Sequence, residues 1–415
     1  MRKLFSQREF VAYFVARQSG LLAFSIEDVA MSWQIFQLRH NPFDLGLIGL
    51  VLFLPQLLLA LPAGILADRY DRRMICIAAT LTEAAGLCGF VALILLHVHS
   101  LPVYLSAVAF VGIAHSMGTP AMRSLLATIV RGEHFVRAQA TSSSVSQLIT
   151  IAGPAIAGAL IALSTSAAFA AAAFAYVGAT IAFTFLRPRA MEFEDVPLLH
   201  AALEGVRFIF NRKIVLAAIS LDLFAVLFGG AVALLPVYAT NILHVGPTGF
   251  GALRAAPAVG AGAVAAYLSR RPIARNAGKK LLFYVAIFGA ATIVFGVSHN
   301  FVISLIALAI TGGSDMVSMV IRSVLVQLRT PHAMRGRVGA VENVFIGASN
   351  ELGAFESGTV ASLIGTEASV VLGGIATIAV IILWAFLFPE LRKFDRLVEE
   401  ERASGRRRPP DKRKA

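Results

Sequence analysis

Residues 64–73 read Gly64-Ile-Leu-Ala-Asp-Arg-Tyr-Asp-Arg-Arg73, with Asp68, Arg69, Arg72 and Arg73 forming a dense charge cluster. On either side lies an apolar run of about twenty residues, the length that crosses the hydrocarbon core of a bilayer. A soluble surface turn needs no such flanks. The stretch therefore marks a place where the chain leaves a membrane and turns back into it.

Composition extends that reading to the whole chain. Of the 415 residues, 57% are hydrophobic and 14% charged, against about 25% charged in a soluble domain. The first apolar run starts near Phe10 and is interrupted by Arg17, Glu27 and Asp28, so it reads as a working transmembrane helix and not as a cleaved signal. Cys76 and Cys88 would lie about 18 Å apart along one helix, too far for a disulfide. No phosphate-cradling Gly-x-x-x-x-Gly-Lys-Ser/Thr loop, Gly-x-Ser-x-Gly elbow or His-Glu-x-x-His pair occurs, and the nine His are scattered. An ATP-driven pump and an enzyme are both disfavoured, and no metal or cofactor is expected.

Apolar runs bounded by Gly, Pro or charge predict an all-α membrane protein with twelve spans. These fall near 10–36, 46–66, 74–97, 101–126, 138–163 and 167–186, then near 214–242, 249–269, 280–297, 301–326, 338–364 and 368–388. An even number puts both termini on one side. Of the 36 Lys and Arg, only Arg39 falls in a loop on the opposite side, while Arg17, Arg123, Arg254 and Arg322 fall within spans. The rest sit in the segments that face the same way as the termini, among them Arg2, Lys3, Arg131, Arg189 and the tail. Such asymmetry is the positive-inside pattern, so both ends are expected in the cytoplasm. The net charge of +12 then belongs to a surface facing anionic lipid and not to a nucleic-acid site.

Four segments follow: a six-helix unit 1–186, a linker 187–213, a second six-helix unit 214–389 and a basic tail 390–415. In the linker Leu198, Leu199, Ala202, Val206 and Phe210 recur at helical spacing, with Glu204 and Arg207 elsewhere on the wheel. That predicts an amphipathic helix lying on the membrane. The two units echo each other. Arg123-Ser-Leu-Leu126 recurs as Arg322-Ser-Val-Leu325, Gly153…Gly158 as Gly353…Gly358, and Pro55 as Pro257, at offsets of 199, 200 and 202 residues. Two parallel copies of one unit are a transporter architecture, with substrate bound between them near mid-membrane.

The motif Gly64-x-x-x-Asp68-Arg69-x-x-Arg72-Arg73 resembles the cytoplasmic loop signature of the major facilitator superfamily. It carries Asp71 where the broad pattern has Gly, as does the superfamily's enterobactin-exporter and macrolide-efflux branch. Ala121-Met-Arg-Ser-Leu-Leu126, Gly153-Pro154, Leu235-Pro-Val-Tyr-Ala239 and Arg335-Gly-Arg337 resemble the same branch. The resemblance implies a proton-driven exporter of small molecules in a bacterial inner membrane, and a functional monomer is expected. Gly153, Pro154 and Gly158 are similar to part of an antiporter signature, with Ala157 where a second Gly usually stands. Small residues that let helices pack closely explain the same pattern.

An ionisable residue at bilayer depth is costly and normally faces a cavity or a partner. Asp28, Asp222, Glu351 and Glu356 are deep enough to carry a proton, with Asp28 ranked first because it shares a helix face with Arg17. An Arg17–Asp222 contact across the cavity is conceivable, since spans 1 and 7 are equivalent in the repeat. Arg254 and Asp315 have no evident role. Arg123 and Arg322, near the ends of their spans, suit gating, and Asp68 can meet the N-terminus of the eleventh span and hold the cytoplasmic side shut. The cavity is expected to draw on Arg17, Phe24, Glu27, Met31, Phe224, Phe345, Ser349 and Asn350, a mainly apolar lining suited to amphipathic molecules. An importer of a metabolite or lysophospholipid, or a non-transporting scaffold, stays open beside the exporter.

Overall fold

The computed structural model describes residues 7–130, 132–187, 198–273 and 275–395. The N-terminal Arg2 and Lys3, Arg131, Arg189 and the tail beyond Asp395 lie outside the described residues, as do the side chains of Leu198, Leu199 and Ala202. The described residues are helical throughout, with no strand among them.

Before the linker come α1 (Arg8–Arg39), α2 (Pro42–Arg69), α3 (Arg72–Leu95), α4 (Leu101–Ile129), α5 (Gly132–Leu163) and α6 (Thr165–Thr184). The linker forms α7 (Leu198–Asn211). There follow α8 (Lys213–Phe228), α9 (Gly246–Arg270), α10 (Ala277–Gly296), α11 (Phe301–Arg329), α12 (Arg335–Ile364) and α13 (Thr366–Leu387). Short connections are set by caps. The Asn41 side chain accepts from the Phe43 N–H at 3.0 Å, Ser164 from Ala167 at 3.0 Å, and Asn300 from Val302 and Ile303. Each satisfies donors that a helix start leaves open.

Ten of these helical stretches are long and apolar enough to cross a membrane. The two long helices that fall short, α1 and α12, are the ones carrying Arg17, Glu27, Asp28, Glu342, Glu351 and Glu356. The stretch after α8 does not run on smoothly. Gly229-Gly230 ends α8, and a 3₁₀ turn (Ala231–Leu234), a short α segment and a π turn (Tyr238–Ile242) complete the passage. The sequence predicted one span over 214–242. Two adjacent glycines and Pro236 loosen the helical ladder, and a Cβ on Gly230 would come within 2.6 Å of the Gly353 carbonyl of α12.

Packing divides the helices into two groups. Within α1–α6 the large contacts are α1 with α5 and α6, α3 with α4 and α6, and α2 with α4. Within α8–α13 they are α9 with α11, α10 with α11 and α13, and α8 with α12 and α13. Two large contacts cross between the groups, α2 with α12 and α5 with α9. Both crossings rest on paired glycines. A Cβ on Gly158 would lie 2.8 Å from Gly251 Cα, and one on Gly358 would lie 2.7 Å from Gly46 Cα.

The two ends of the molecule differ. At one end a single apolar cluster takes Ile35, Phe36, Phe90 and Phe169 from the first group and Leu234, Tyr238, Phe250 and Phe295 from the second. Trp33 stacks on Phe250 across the boundary, with centroids 5.4 Å apart. At the end carrying the Gly64–Arg73 turn, the clusters among the described residues each belong to one group alone. Among the described residues the groups share a buried apolar cluster at one end and none at the other.

Helix α7 docks on the second group. Glu204 pairs with Arg337, and a Cβ on Gly205 would meet the Arg337 carbonyl at 2.8 Å. The face the sequence predicted as apolar is turned: Ile209 is buried while Phe210 is exposed, because the helix follows the groove beside Val338 and Val341. A short helix, Pro389–Lys393, ends the described chain. Beyond it the Asp395 carboxylate accepts the Asn276 N–H at 2.7 Å, and the Asp395 and Phe394 carbonyls accept from Ala277 and Gly278.

Candidate functional site

The site lies where α1, α3, α4, α6, α9 and α12 bring ionisable side chains together at membrane depth. Asp28 of α1 forms an ion pair with Arg254 of α9, across the boundary between the groups. Arg254 also donates to the Val232 carbonyl at 3.3 Å, in the 3₁₀ turn after α8. Glu351 of α12 is within electrostatic reach of Asp28, Arg254 and His115. The Val232 carbonyl also accepts the Leu235 N–H, so the turn after Gly230 shares one acceptor with the guanidinium that crosses between groups.

Next to this pair the first group buries two carboxylates. Glu27 accepts the Tyr176 hydroxyl at 2.8 Å, and Glu83 lies 3.1 Å from His115 Nδ1. The two carboxylates are close enough to interact electrostatically. The His115 ring stacks on Phe24, with centroids 4.7 Å apart. Phe24 is 40% exposed, whereas Glu27 and Glu83 are 5% and 4% exposed. A Cβ on Gly20, one turn before Phe24, would meet nothing within 4 Å, so this face of α1 borders open space.

Several expected placements change. The Arg17–Asp222 contact does not form: Arg17 donates to Tyr13 one turn back at 3.0 Å, and Asp222 pairs with Arg322. Arg322 reaches Asp222 from α11 within the same group, so the acid is neutralised without crossing the gap. Glu342 approaches Arg322 to 3.8 Å, and Asp315, which had no assigned role, lies within electrostatic reach of both members of the pair. The cation that meets Asp28 is Arg254 and not Arg17. Phe224, half-buried, packs on Trp384 and Phe228, and Phe345 packs beside the cluster under α7. Met31 is buried in the shared apolar cluster. Ser349 is buried and donates to Ile346 in its own helix, and Asn350 is exposed. Glu356 accepts from Ser357 at 3.3 Å.

The charged turn is built from helix ends. Arg72 donates to the Ala67 carbonyl at 3.1 Å, and Arg73 donates to the Thr184 carbonyl at the end of α6, where cations suit the helix dipole. Asp71 caps α3 by accepting from the Arg73 N–H at 2.9 Å, which gives the departure from Gly a local purpose. Asp68 is half exposed and lies 3.7 Å from Arg72; Arg69 and Arg123 are exposed. Gly153 lets α5 approach Ser25 of α1, since a Cβ there would lie 2.3 Å from its hydroxyl.

Glu83 and His115 escaped the sequence reading. The rule that singled out Asp28, a lone ionisable group inside an apolar run, applies equally to both.

Two groups of membrane-length helices sharing an apolar core at one end, with ionisable side chains between them, are the architecture of a transporter of the major facilitator superfamily. Within it the chain belongs to the transmembrane secretion effector family, which matches residues 4–409. It is 26% identical over 392 residues to the enterobactin exporter of Citrobacter koseri, covering 93% of each chain. It is 26% identical over 403 residues to that of Escherichia coli O6:K15:H31, covering 95% of each. Among solved structures, the fold is similar to a bacterial homologue of the human lysosomal transporter Spinster in an inward-facing, occupied conformation. The TM-score is 0.73 at 14% identity, over 92% of this chain and 97% of that one. It is also similar to an inward-facing bacterial homologue of the iron transporter ferroportin, with a TM-score of 0.70 at 13% identity, over 93% of this chain and 99% of that one. The protein is a multi-pass membrane transporter and not an enzyme.

Proposed function

We propose that the protein exports a small amphipathic molecule across a bacterial inner membrane in exchange for protons, working as a monomer by alternating access. Two six-helix units, 1–186 and 214–389, rock about the site, joined by the linker 187–213 and followed by the basic tail 390–415. In this reading α1 and α12 complete twelve spans, and both termini are cytoplasmic. The observation that carries it is the Asp28–Arg254 ion pair beside Glu351, which ties one unit to the other at membrane depth. Substrate seated beside Asp28 frees Arg254, so that the joined end can part. A proton then taken up by Asp28 from outside displaces the substrate and accompanies the return, to be released as the Asp28–Arg254 pair reforms. The exporter names of the relatives support the direction, and the separation of the units at the end of the charged turn fits an inward-open state. Asp222, Glu351 and Glu356 are the alternative proton carriers.

Everted membrane vesicles energised by respiration test this. Adding a transported compound from a panel of drugs, siderophores and lipids should release protons from the vesicle lumen. No proton movement with any accumulated compound would remove antiport. Asp28→Asn should abolish uphill export yet keep exchange of substrate down its gradient. In the outward-open state Asp68 is expected to meet the N-terminus of α12, so Asp68→Asn should abolish transport with normal membrane insertion. Wild-type flux in that variant would remove the gate from the mechanism.

A further inference from the structure

The wall of the site has a sign. Four carboxylates, Glu27, Asp28, Glu83 and Glu351, face each other's fields, and one guanidinium, Arg254, stands among them already engaged by Asp28 and the Val232 carbonyl. In front of the buried acids stands a ring pair. His115 is held at Nδ1 by Glu83 and stacked on Phe24, and its side chain is 44% exposed. A ring N–H hydrogen-bonded to a carboxylate makes the imidazole electron-rich, and an aromatic face attracts cations in a desolvated setting. Resting on the exporter reading above, we propose that the Phe24–His115 stack, backed by Glu83 and Glu27, takes the positively charged head of a cationic amphipathic substrate.

The geometry fits that ligand better than an anion. An anion entering at Phe24 would approach two buried carboxylates, while among the described residues Arg17, about two turns earlier on α1, is turned to Tyr13, and unpaired charge at this depth is costly. A cation there meets the aromatic face of Phe24 and His115 and can compete with Arg254 for the half-exposed Asp28 carboxylate. A neutral amphipath would gain only the ring contact. The site also couples to protons without an added part. A proton that neutralises Asp28 or Glu83 weakens the hold on the cation, so the two compete for the same groups.

Two probes of one shape and opposite charge, tetraphenylphosphonium and tetraphenylborate, separate these possibilities. Binding of radiolabelled tetraphenylphosphonium to the purified full-length protein in nanodiscs, with no gradient present, is expected to saturate, and tetraphenylborate is expected not to displace it. Phe24→Ala and Glu83→Gln should each weaken binding about tenfold, while Phe24→Trp, which keeps a ring, should retain it. Melting curves identify any variant that has lost its fold, and Phe24→Trp together with Asp28→Asn then carry the comparison. Preferential binding of tetraphenylborate, or unchanged affinity in folded Phe24→Ala and Glu83→Gln protein, overturns the proposal. Saturable cation binding without proton release in vesicles supports the site and removes antiport. Proton release driven only by neutral or anionic compounds removes the site and leaves the exporter standing.

Discussion

In the first group of helices two carboxylates, Glu27 and Glu83, are buried against a phenol and an imidazole. In the second, Asp222 is buried against the guanidinium of Arg322, with Glu342 as a more distant second acid. The repeat would make these regions alike, since Arg123 of α4 corresponds to Arg322 of α11, yet Arg123 is exposed and Arg322 is 5% exposed. One group spends its buried charge on a closed ion pair. The other keeps acids whose partners are neutral or can become so. An ion pair of that kind resists a change of charge, whereas acids held by hydroxyl and imidazole tolerate gaining or losing a proton. Division of labour between related halves follows: the second supplies a fixed strut, and the first a wall that can change its charge.

The largest effect should come from breaking the strut. Arg322→Met leaves Asp222 buried without its partner and should cost about 3–5 kcal/mol, read as a loss of cooperative melting of the detergent-solubilised protein. Adding Asp222→Leu should restore most of it. If Arg322→Met melts like the wild type, the contrast between the groups has no energetic basis.

A smaller loss is expected at the joined end. Gly158→Ala drives a methyl into the Pro247 carbonyl and Gly251 Cα, backbone atoms that cannot rotate away, and should cost about 1–3 kcal/mol. Gly358→Ala meets Gly46 in the same manner. Similar losses in the two variants would show the crossings to be equivalent where the charge clusters are not. A loss confined to one of them would place the asymmetry in the packing too.

The smallest effect should fall on the first group's acids. Glu27→Gln keeps an acceptor for Tyr176 and removes only the charge, so stability should change by no more than about 1 kcal/mol. A drop as deep as that of Arg322→Met would mean that Glu27 is held ionised as a structural element, and the contrast would be reversed.

The fold was legible because its signals are local. Apolar length, caps such as Asn41 and Ser164, and the charges around Asp68 each declare themselves within a few residues. The site was only half legible. Asp28 stood out as an acid past the middle of an apolar run, but its partner Arg254 lies 226 residues away on a helix with no other mark of its role. Arg17, spaced to share Asp28's face, turned instead to Tyr13, because a partner on the adjacent turn costs less order than one across a gap. Phe224 and Phe345 illustrate the same limit. An aromatic ring on a membrane helix does not name the side chains it packs on, here Trp384 and the cluster under α7. Asp71 shows the reverse case, in which a departure from a motif becomes intelligible once the cap it makes on α3 is seen.

The cap that Asp395 places on the start of α10 has a consequence for biosynthesis. Its acceptor is made 119 residues after the Asn276 donor it satisfies. At roughly 5–20 residues per second the ribosome needs roughly 6–24 s to cover that distance. Throughout that interval α10 must enter the bilayer with its first N–H groups bound to water or lipid headgroups, and a nascent chain arrested anywhere before residue 395 would carry a frayed start to this helix.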